Sequence, residues 1–539
     1  MEPRQHHRLV LSELATELLT KILLGLEVGD LTRCKRVCRR LNQLVSTDLS
    51  LLYKMELDVA GMVDGPPGGA DLRVRLERLR ARNEAWDMGL PLHTVMLQSP
   101  DYSTSVWQCT GGFFLYEEGT TADDMQLKLH RPAYPDLPTS VGLQGILRTL
   151  SAWQSSGSST AEIRSGTVNP EEDMVAIMLG HTESEIVRCV VLSISQDMTP
   201  HPMAARSEFL SSCPRPSVPH VRIESVGDLI SWTIPVLNTD GEGEFVSEML
   251  VINWKSGATV WKLRGKSTDK HLLLDPSHVL VIDRHGLSVH EFDPRATTSR
   301  CSTGDDCSIF FALPALHHGT DIQNLQCYLP GPRNFRDDRV LFHEDPDLSA
   351  FAFHMSTSTS LGFWQPPRKE HLIYVIPMST ILNELEHGLH KPARRGGTVI
   401  PWPQWGPDGA RLLRVDIEPR PLTIMGSRVA IPLSAHGLNI ARDIFVIDVR
   451  PRRAEETFSG LGEGSFAMLR ALQGRVDVSD TIRGLQSFAV PVTTRLPYRM
   501  TYVKTWSEWD MKVVVAQALT HDGIVITCDP LDIQVGQLI

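Results

Sequence analysis

From Tyr102 to the C-terminus the chain is written as short apolar runs, each ended by a polar, Gly- or Pro-containing stretch. DMVAIMLG, IVRCVVLSIS, GDLISWTIPV, EMLVINWKSGATVWKL, HVLVIDRHGLSVHEF, LSAFAFHM, HLIYVIPM, SRVAIPL, DIFVIDVR, MKVVVAQAL and DGIVITC are examples. They are rich in Val, Ile, Phe and Trp and many alternate, which suits strands whose successive side chains point to opposite faces. The runs come in pairs, at 173–195, 227–263, 348–378 and 428–450. INWKSGATVWKL is the clearest, a Lys-Ser-Gly turn between two strands. Four-stranded units at irregular intervals of ~40–60 residues point to a β-propeller-like domain of about seven blades. Two stacked β-sandwich domains are the alternative. MSTILNELEHGLHK (Met378–Lys391) interrupts the rhythm with one short helix.

The first sixty residues are of another kind. Leu14, Leu18, Ile22 and Leu26, with Leu19 and Leu23, recur at helical spacing. Gly29 is placed to stop that helix and Asp30 to cap a second. The second sets Leu31, Cys34, Val37, Cys38, Leu41, Leu44 and Val45 on one side, and Arg33, Lys35, Arg36, Arg39 and Arg40 on the other. LSLLYKMEL (Leu49–Leu57) reads as a third helix. A piece this small cannot bury a sufficient core alone, so its apolar faces must dock, either on the chain's own β-domain or on another protein. After the GMVDGPPGG break, Asp71–Asp87 reads as an exposed linker helix with one docked edge formed by Leu72, Leu76, Leu79 and Trp86.

The run L-A-T-E-L-L-T-K-I-L-L-G-L…D-L…V-C-R-R resembles the F-box, with Leu14, Glu17, Leu18, Ile22, Leu23, Leu26, Asp30, Leu31, Val37, Cys38 and Arg39 in register. Two positions depart from the pattern: Ala15 replaces the usual Pro, and Leu41 stands where an aromatic often follows the Val-Cys pair. F-box domains bind the small adaptor subunit of cullin–RING ubiquitin ligases, and the domain that follows recruits the substrate. The resemblance therefore implies that Leu14, Ala15, Glu17, Leu18, Ile22, Leu26, Leu31, Val37 and Cys38 form the adaptor-binding residues. Leu14, Leu18, Ile22 and Leu26 would be the anchors, with Leu31, Val37 and Cys38 packing the trihelical core and its edge. LLYKMELDVAGMVDGPPGG, RLERLRARNEAW, PWPQWGPDGAR, GSRV and VIDVRPRR are similar to segments of a large group of basidiomycete F-box proteins. The expected organisation is a disordered tail at 1–10, a three-helix F-box at 11–60, a linker with a helix at 61–101 and an all-β domain at 102–539.

Charge and motifs narrow the remaining classes. The net charge is −11, and residues 1–60 carry nine Lys/Arg against eight Asp/Glu, so the acidic excess lies in the rest of the chain. That balance argues against nucleic acid as a partner. The basic face from Arg33 to Arg40 is then a solvated face, or one complementary to an acidic partner. Nine cysteines without a Cys-x-x-Cys pair do not form a disulfide framework or zinc ribbon. Cys34 and Cys38 could be half of a metal site, but His6 and His7 lie in the tail, so a core pair is the reading and no metal or cofactor is expected. SGLGEGS (Ser459–Ser465) lacks the Gly-Lys-Ser/Thr ending of a phosphate loop, and no hydrolase, metalloprotease or kinase motif occurs. The expectation is a non-enzymatic protein. Its first residues lack the uninterrupted apolar core that a secretory signal needs and no run is long enough to span a membrane, so cytosol or nucleus is the expectation. Trp232, Trp254, Trp261, Trp364, Trp402 and Trp405 lie in or beside strands, where packing between blades is their ordinary role. Trp402 and Trp405, in a Pro-rich loop with Gly406-Pro407, are expected to be partly exposed and are the candidate substrate-binding residues.

Overall fold

A computed structural model describes residues 14–537 apart from connecting stretches, the longest of them at 132–145, 151–160, 213–222, 329–340 and 451–475. The expected tail at 1–10, Trp364, and the Ser459–Ser465 stretch lie outside the described residues.

Among the described residues the β-region is a succession of seven antiparallel meanders, called sheets 1 to 7 in chain order: 106–150, 161–212, 223–266, 270–312, 320–415, 423–504 and 513–537. Among the described residues no sheet closes on itself into a barrel. Instead, the first strands of successive sheets touch: Val106–Thr110 meets Ala161–Asn169, which meets Ile223–Val226, which meets Lys270–Asp275, which meets Thr320–Tyr328. Sheet 5 reaches Thr423–Met425 through Ala350–Thr359, Thr423–Met425 meets Val513–Leu519, and that strand returns to Val106–Thr110. The arrangement is propeller-like.

Both faces of the inner strands of sheets 3 and 5 are apolar because each of these two sheets is sandwiched between two others. In sheet 3, Ile230, Trp232 and Ile234 pack on Met174, Ala176 and Met178 of sheet 2. The alternate residues Leu229, Met249 and Val251, with Trp261, pack on Val279 and Val281 of sheet 4. Sheet 5 repeats the pattern, with Phe351 and Phe353 facing sheet 4 and Ala350 and Ala352 facing sheet 6. A core lies in each of these gaps, whereas a two-sheet sandwich would have one shared core. Trp232, Trp254 and Trp261 are fully buried, as packing between blades requires.

Residues His93–Gln98, which fall within the linker in the sequence reading, are the fourth strand of sheet 7, paired antiparallel with Asp532–Gln537 from Thr94↔Gly536 to Gln98↔Asp532. HTVMLQ does not pair with the next strand in sequence, Val106–Thr110, so its surroundings in the chain do not reveal this. The partner edge lies over four hundred residues away and would otherwise be left unpaired.

The N-terminal helices are α1 (Thr16–Leu24), α2 (Val28–Lys35), α3 (Arg39–Thr47) and α4 (Leu49–Ala60). The single helix expected over Leu31–Val45 is two, so the module has four helices rather than three. Helix α1 ends at Gly25, Glu27 rather than Asp30 is the N-cap of α2, and the chain breaks before Cys38, whose backbone is extended at φ −156° and ψ 163°. A continuous helix would carry Leu41 ~15 Å along the axis from Leu31. The break instead folds α3 back, and Leu31, Leu41 and Val45 join Leu19, Leu23 and Leu51 in one cluster.

The linker helix α5 (Leu72–Met88) is far more buried than an exposed spacer. It starts at Asp71, which accepts from Val74 N at 2.9 Å, and ends at Gly89, whose φ of 62° and approach to Tyr502 leave no room for a Cβ. Met62–Asp64 pairs antiparallel with Phe342–Glu344, an insertion of sheet 5. Tyr53, Leu57, Met62, Leu76 and Leu79 close over Leu341 and Phe342. The helical module and the propeller therefore share a core.

Between sheets 5 and 6 lies a buried histidine pair, His354 Nε2 to His371 Nδ1 at 3.3 Å. Burial, with the neighbouring His371 adding to it, pushes His354 down to about 4. Its folded value lies below the unfolded one, so the neutral form is favoured on folding. That contribution is complete above about pH 6.5 and is lost as pH falls towards 4, with an upper size of about 3 kcal/mol. Urea midpoints at pH 7 and pH 4.5 should show a smaller acid loss for His354→Leu than for the wild type; equal losses would assign the acid sensitivity elsewhere.

Candidate functional site

The N-terminal module has an inside and an outside that its helical spacing alone does not separate. Helix α1 is pinned to α3 and α4 from its polar side. The Lys54 ammonium donates to the carbonyls of Leu24 and Leu26, each at 2.6 Å, capping the C-terminal end of α1 with a cation. Arg40 donates to the Leu14 carbonyl at 2.7 Å. Thr20 donates to Asp48, and Asp48 in turn accepts from Ser50 N and Leu51 N as the N-cap of α4. With α1 held this way, Leu19 and Leu23 point inward and are buried.

Leu18 and Ile22 are left outside, 51% and 44% exposed and one helical turn apart. Leu14 and Leu26, on the same ridge, are half-buried against the cluster. Leu24 is a further exposed aliphatic that the sequence reading did not single out, and its place on the outer side becomes visible only once Leu23 is seen to be inside. Ala15 is the exposed N-cap of α1, with φ −56° and ψ 147°. Those angles are ones a proline holds, so the alanine keeps the lead-in geometry without the ring. Glu17 is exposed in the first turn, where its charge complements the helix dipole.

The three residues expected to pack the trihelical core and its edge separate. Leu31 is fully buried in the cluster and Cys38 is half-buried beside it. Val37 does not pack: it is 71% exposed in the turn between α2 and α3. The break at Cys38 rotates Val37 off the apolar stripe that an unbroken helix would have given it. Beside it, Arg33, Arg36, Arg39 and Arg40 are exposed. Leu18, Ile22 and Val37 are thus large aliphatic side chains facing solvent on a module whose other large aliphatics are largely turned inward.

The second candidate surface is corrected. Trp402 and Trp405 are not loop residues on a substrate face; they lie in a short helix, Trp402–Gly409, and are buried in the core between sheets 4 and 5. Trp405 Nε1 donates to the Ala312 carbonyl at 3.1 Å, and its ring meets Phe311 edge-on at 5.4 Å and Trp402 at 5.0 Å. Pro401 and Pro403, which suggested an irregular loop, sit at the helix start, where a missing backbone N–H costs nothing. Indole rings of this size are then drawn into the inter-sheet gap.

The element that no motif announced is the buried ion network under α5. Glu344 Oε1 accepts from Arg82 and from Arg428, each at 2.6 Å. Arg428 also approaches Asp448 at 3.5 Å, and Arg450 forks onto the same carboxylate. The Trp86 ring lies 4.7 Å from the Arg428 guanidinium. Burial pushes Arg428 down to about 9, with Glu344 opposing, so it stays charged at neutral pH. Arg75, also buried, donates to Asp64 at 2.6 Å and to the carbonyls of Pro66, Gly68 and Leu341. On a helical wheel Arg75 and Arg82 read as solvated; Arg82 finds Glu344 on a distant strand, and Arg75 ties the segment before α5 to the Leu341 carbonyl.

Residues 12–57 match the F-box-like family. No curated protein matches the chain. Among solved structures, the chain is similar to the β-propeller domain of the Trilobed protease from Pyrococcus furiosus at 7% identity, covering 81% of this chain and 97% of that one, with a TM-score of 0.38. It is also similar to the WD40 domain of SCAP from fission yeast at 9% identity, covering 83% and 98%, with a TM-score of 0.30. At those scores the strand pairings, and not the likeness, define the fold. Among the described residues no helix is long and apolar enough to cross a membrane.

Proposed function

We propose that this chain is the substrate-recognition subunit of a cullin–RING ubiquitin ligase, its F-box-like domain docking the small adaptor subunit and its propeller holding a target protein. The observation that carries the reading is the exposure of Leu18, Ile22 and Val37 on an F-box-like domain whose remaining large aliphatics are mostly turned inward. An aliphatic row left in water on a small helical module is stabilised when a partner's apolar surface covers it. The shared core with the propeller supports a second element of the reading. An adaptor bound at α1 would stand at a set distance from whatever the propeller holds, and transfer to a held target needs positioning rather than a catalytic residue on this chain. On this reading the protein is not an enzyme, takes no cofactor, binds neither nucleic acid nor membrane, and works in cytosol or nucleus. The segments similar to the basidiomycete F-box proteins favour membership of that group.

Leu18→Asp tests the docking. The position is half exposed, so the free protein should melt as the wild type does. In the complex the carboxylate would be buried without a partner, at a cost of about 3 kcal/mol or more. The expected result is at least a 100-fold loss of affinity for the adaptor and loss of its co-purification. Unchanged co-purification would overturn the docking model. A complex that retains the adaptor but never the cullin would make the chain a scaffold acting outside a ligase.

A further inference from the structure

Sheets 3 and 4 each carry a fifth strand on the outer edge, added in parallel by the sheet that follows. Arg300–Ser302, from the connection before the last strand of sheet 4, lies along Ala258–Lys266 of sheet 3 with Trp261↔Arg300 in register. Thr398–Ile400, from the corresponding connection of sheet 5, lies along Ile309–Ala312 of sheet 4 with Ile309↔Thr398 in register. The lent strand alternates, with Val399 outward and Ile400 buried. Such additions cover edges that would otherwise present unpaired backbone groups.

Sheet 2 cannot be covered in this way. The corresponding connection of sheet 3 is the tight turn Trp254–Gly257 between Phe245–Asn253 and Ala258–Lys266, too short to reach back. Among the described residues nothing pairs with the outer side of Glu208–Ser212. One face of the edge carries exposed aliphatics, with Arg188 and Glu208 on the same face. Leu210 is 64% exposed and Ile186, diagonal to it across the pair, is 45% exposed. Both continue outward the row of Val190 and Leu192, whereas the neighbouring Phe209 faces the opposite way into the core with sheet 3. The charges beside the pair are Arg188 and Glu208, 3.8 Å apart and mutually neutralising, and Arg206, exposed just before the strand begins.

We propose that this edge receives an extended segment of a partner protein, added in parallel to Glu208–Ser212 as the fifth strand of sheet 2. Backbone pairing holds the segment, an apolar side chain covers Leu210 and Ile186, and a carboxylate at its N-terminal end faces Arg206. The strands lent to sheets 3 and 4 are the internal precedent for its direction and its alternating side chains. The surface is independent of the F-box-like domain, so it stands whether or not an adaptor docks there.

The test uses the full chain, panned against a random-peptide phage library, with enriched peptides synthesised and their binding measured by fluorescence anisotropy. The expected peptides carry an apolar residue in an alternating pattern with an acid upstream. Their affinity should fall at least tenfold with Leu210→Lys and with Ile186→Lys, and also with Arg206→Glu, while melting stays at the wild-type value. Two lysine variants are used so that a folding defect in one leaves the other to decide. The proposal is overturned if no peptide enriches, or if enriched peptides bind the lysine variants as tightly as the wild type. A wild-type dimer in sedimentation that Leu210→Lys dissociates would make a second copy the occupant, and would overturn the partner segment equally.

Discussion

Glu344→Ala is expected to lower the stability of the protein by about 3–5 kcal/mol, the cost of removing one partner from a buried ion network. One carboxylate oxygen there accepts from both Arg82 and Arg428, and both guanidinium groups are buried. Without it, Asp448 is left to balance Arg428 and Arg450 as well as it can. Glu344→Gln keeps an acceptor but not the charge and should lie between the two. The effect should appear in the urea midpoint, together with faster proteolysis in residues 65–71, because α5 loses its hold on sheets 5 and 6. A loss below 1 kcal/mol would mean that the shared apolar core of Tyr53, Leu57, Leu76, Leu79 and Phe342 holds the junction without the charges.

Trp405→Ala should cost a similar amount, about 3–5 kcal/mol, from lost burial, the cavity left between sheets 4 and 5, and the unpaired Ala312 carbonyl. The two readings of this residue predict opposite results. A tryptophan on a binding surface would leave the urea midpoint nearly unchanged when truncated and would weaken only target binding. A core tryptophan lowers the midpoint first. Trp402→Ala, at a ring 5.0 Å away, should couple with it non-additively in a double-mutant cycle.

How far the fold could be read in advance depended on whether a residue's environment was set locally. The paired runs at 227–263 and 348–378 became strands because alternation with apolar residues on both faces has few other solutions. The helix at Met378–Gly388 was legible for the same reason, its 3.6-residue spacing standing against a background of period two. Periodicity failed where two helices met end to end. The stripe from Leu31 to Val45 is continuous in sequence, and only the packing of Leu41 and Val45 against Leu19 and Leu23 demands the break at Cys38. It failed again at Arg75 and Arg82. A charged side chain on a helix is read as solvated unless its partner is known, and the partners include Glu344 and the Leu341 carbonyl, more than 250 residues on.

The candidate site divides along the same line. The spacing of Leu14, Leu18, Ile22 and Leu26 identified the ridge, but not that Leu18 and Ile22 would remain in water while Leu31 became core. Sequence alone determined the classes of element: a short helical module, a charged helix after it, and a long series of strands apolar on both faces. Backbone periodicity and side-chain hydrophobicity are local properties, so the chain order carries them intact. Tertiary structure alone decided which apolar residues were surplus, which arginines were buried, and that His93–Gln98 would complete the last sheet. Each of those outcomes depends on a partner brought close by folding from far along the chain, and no local pattern contains that distance.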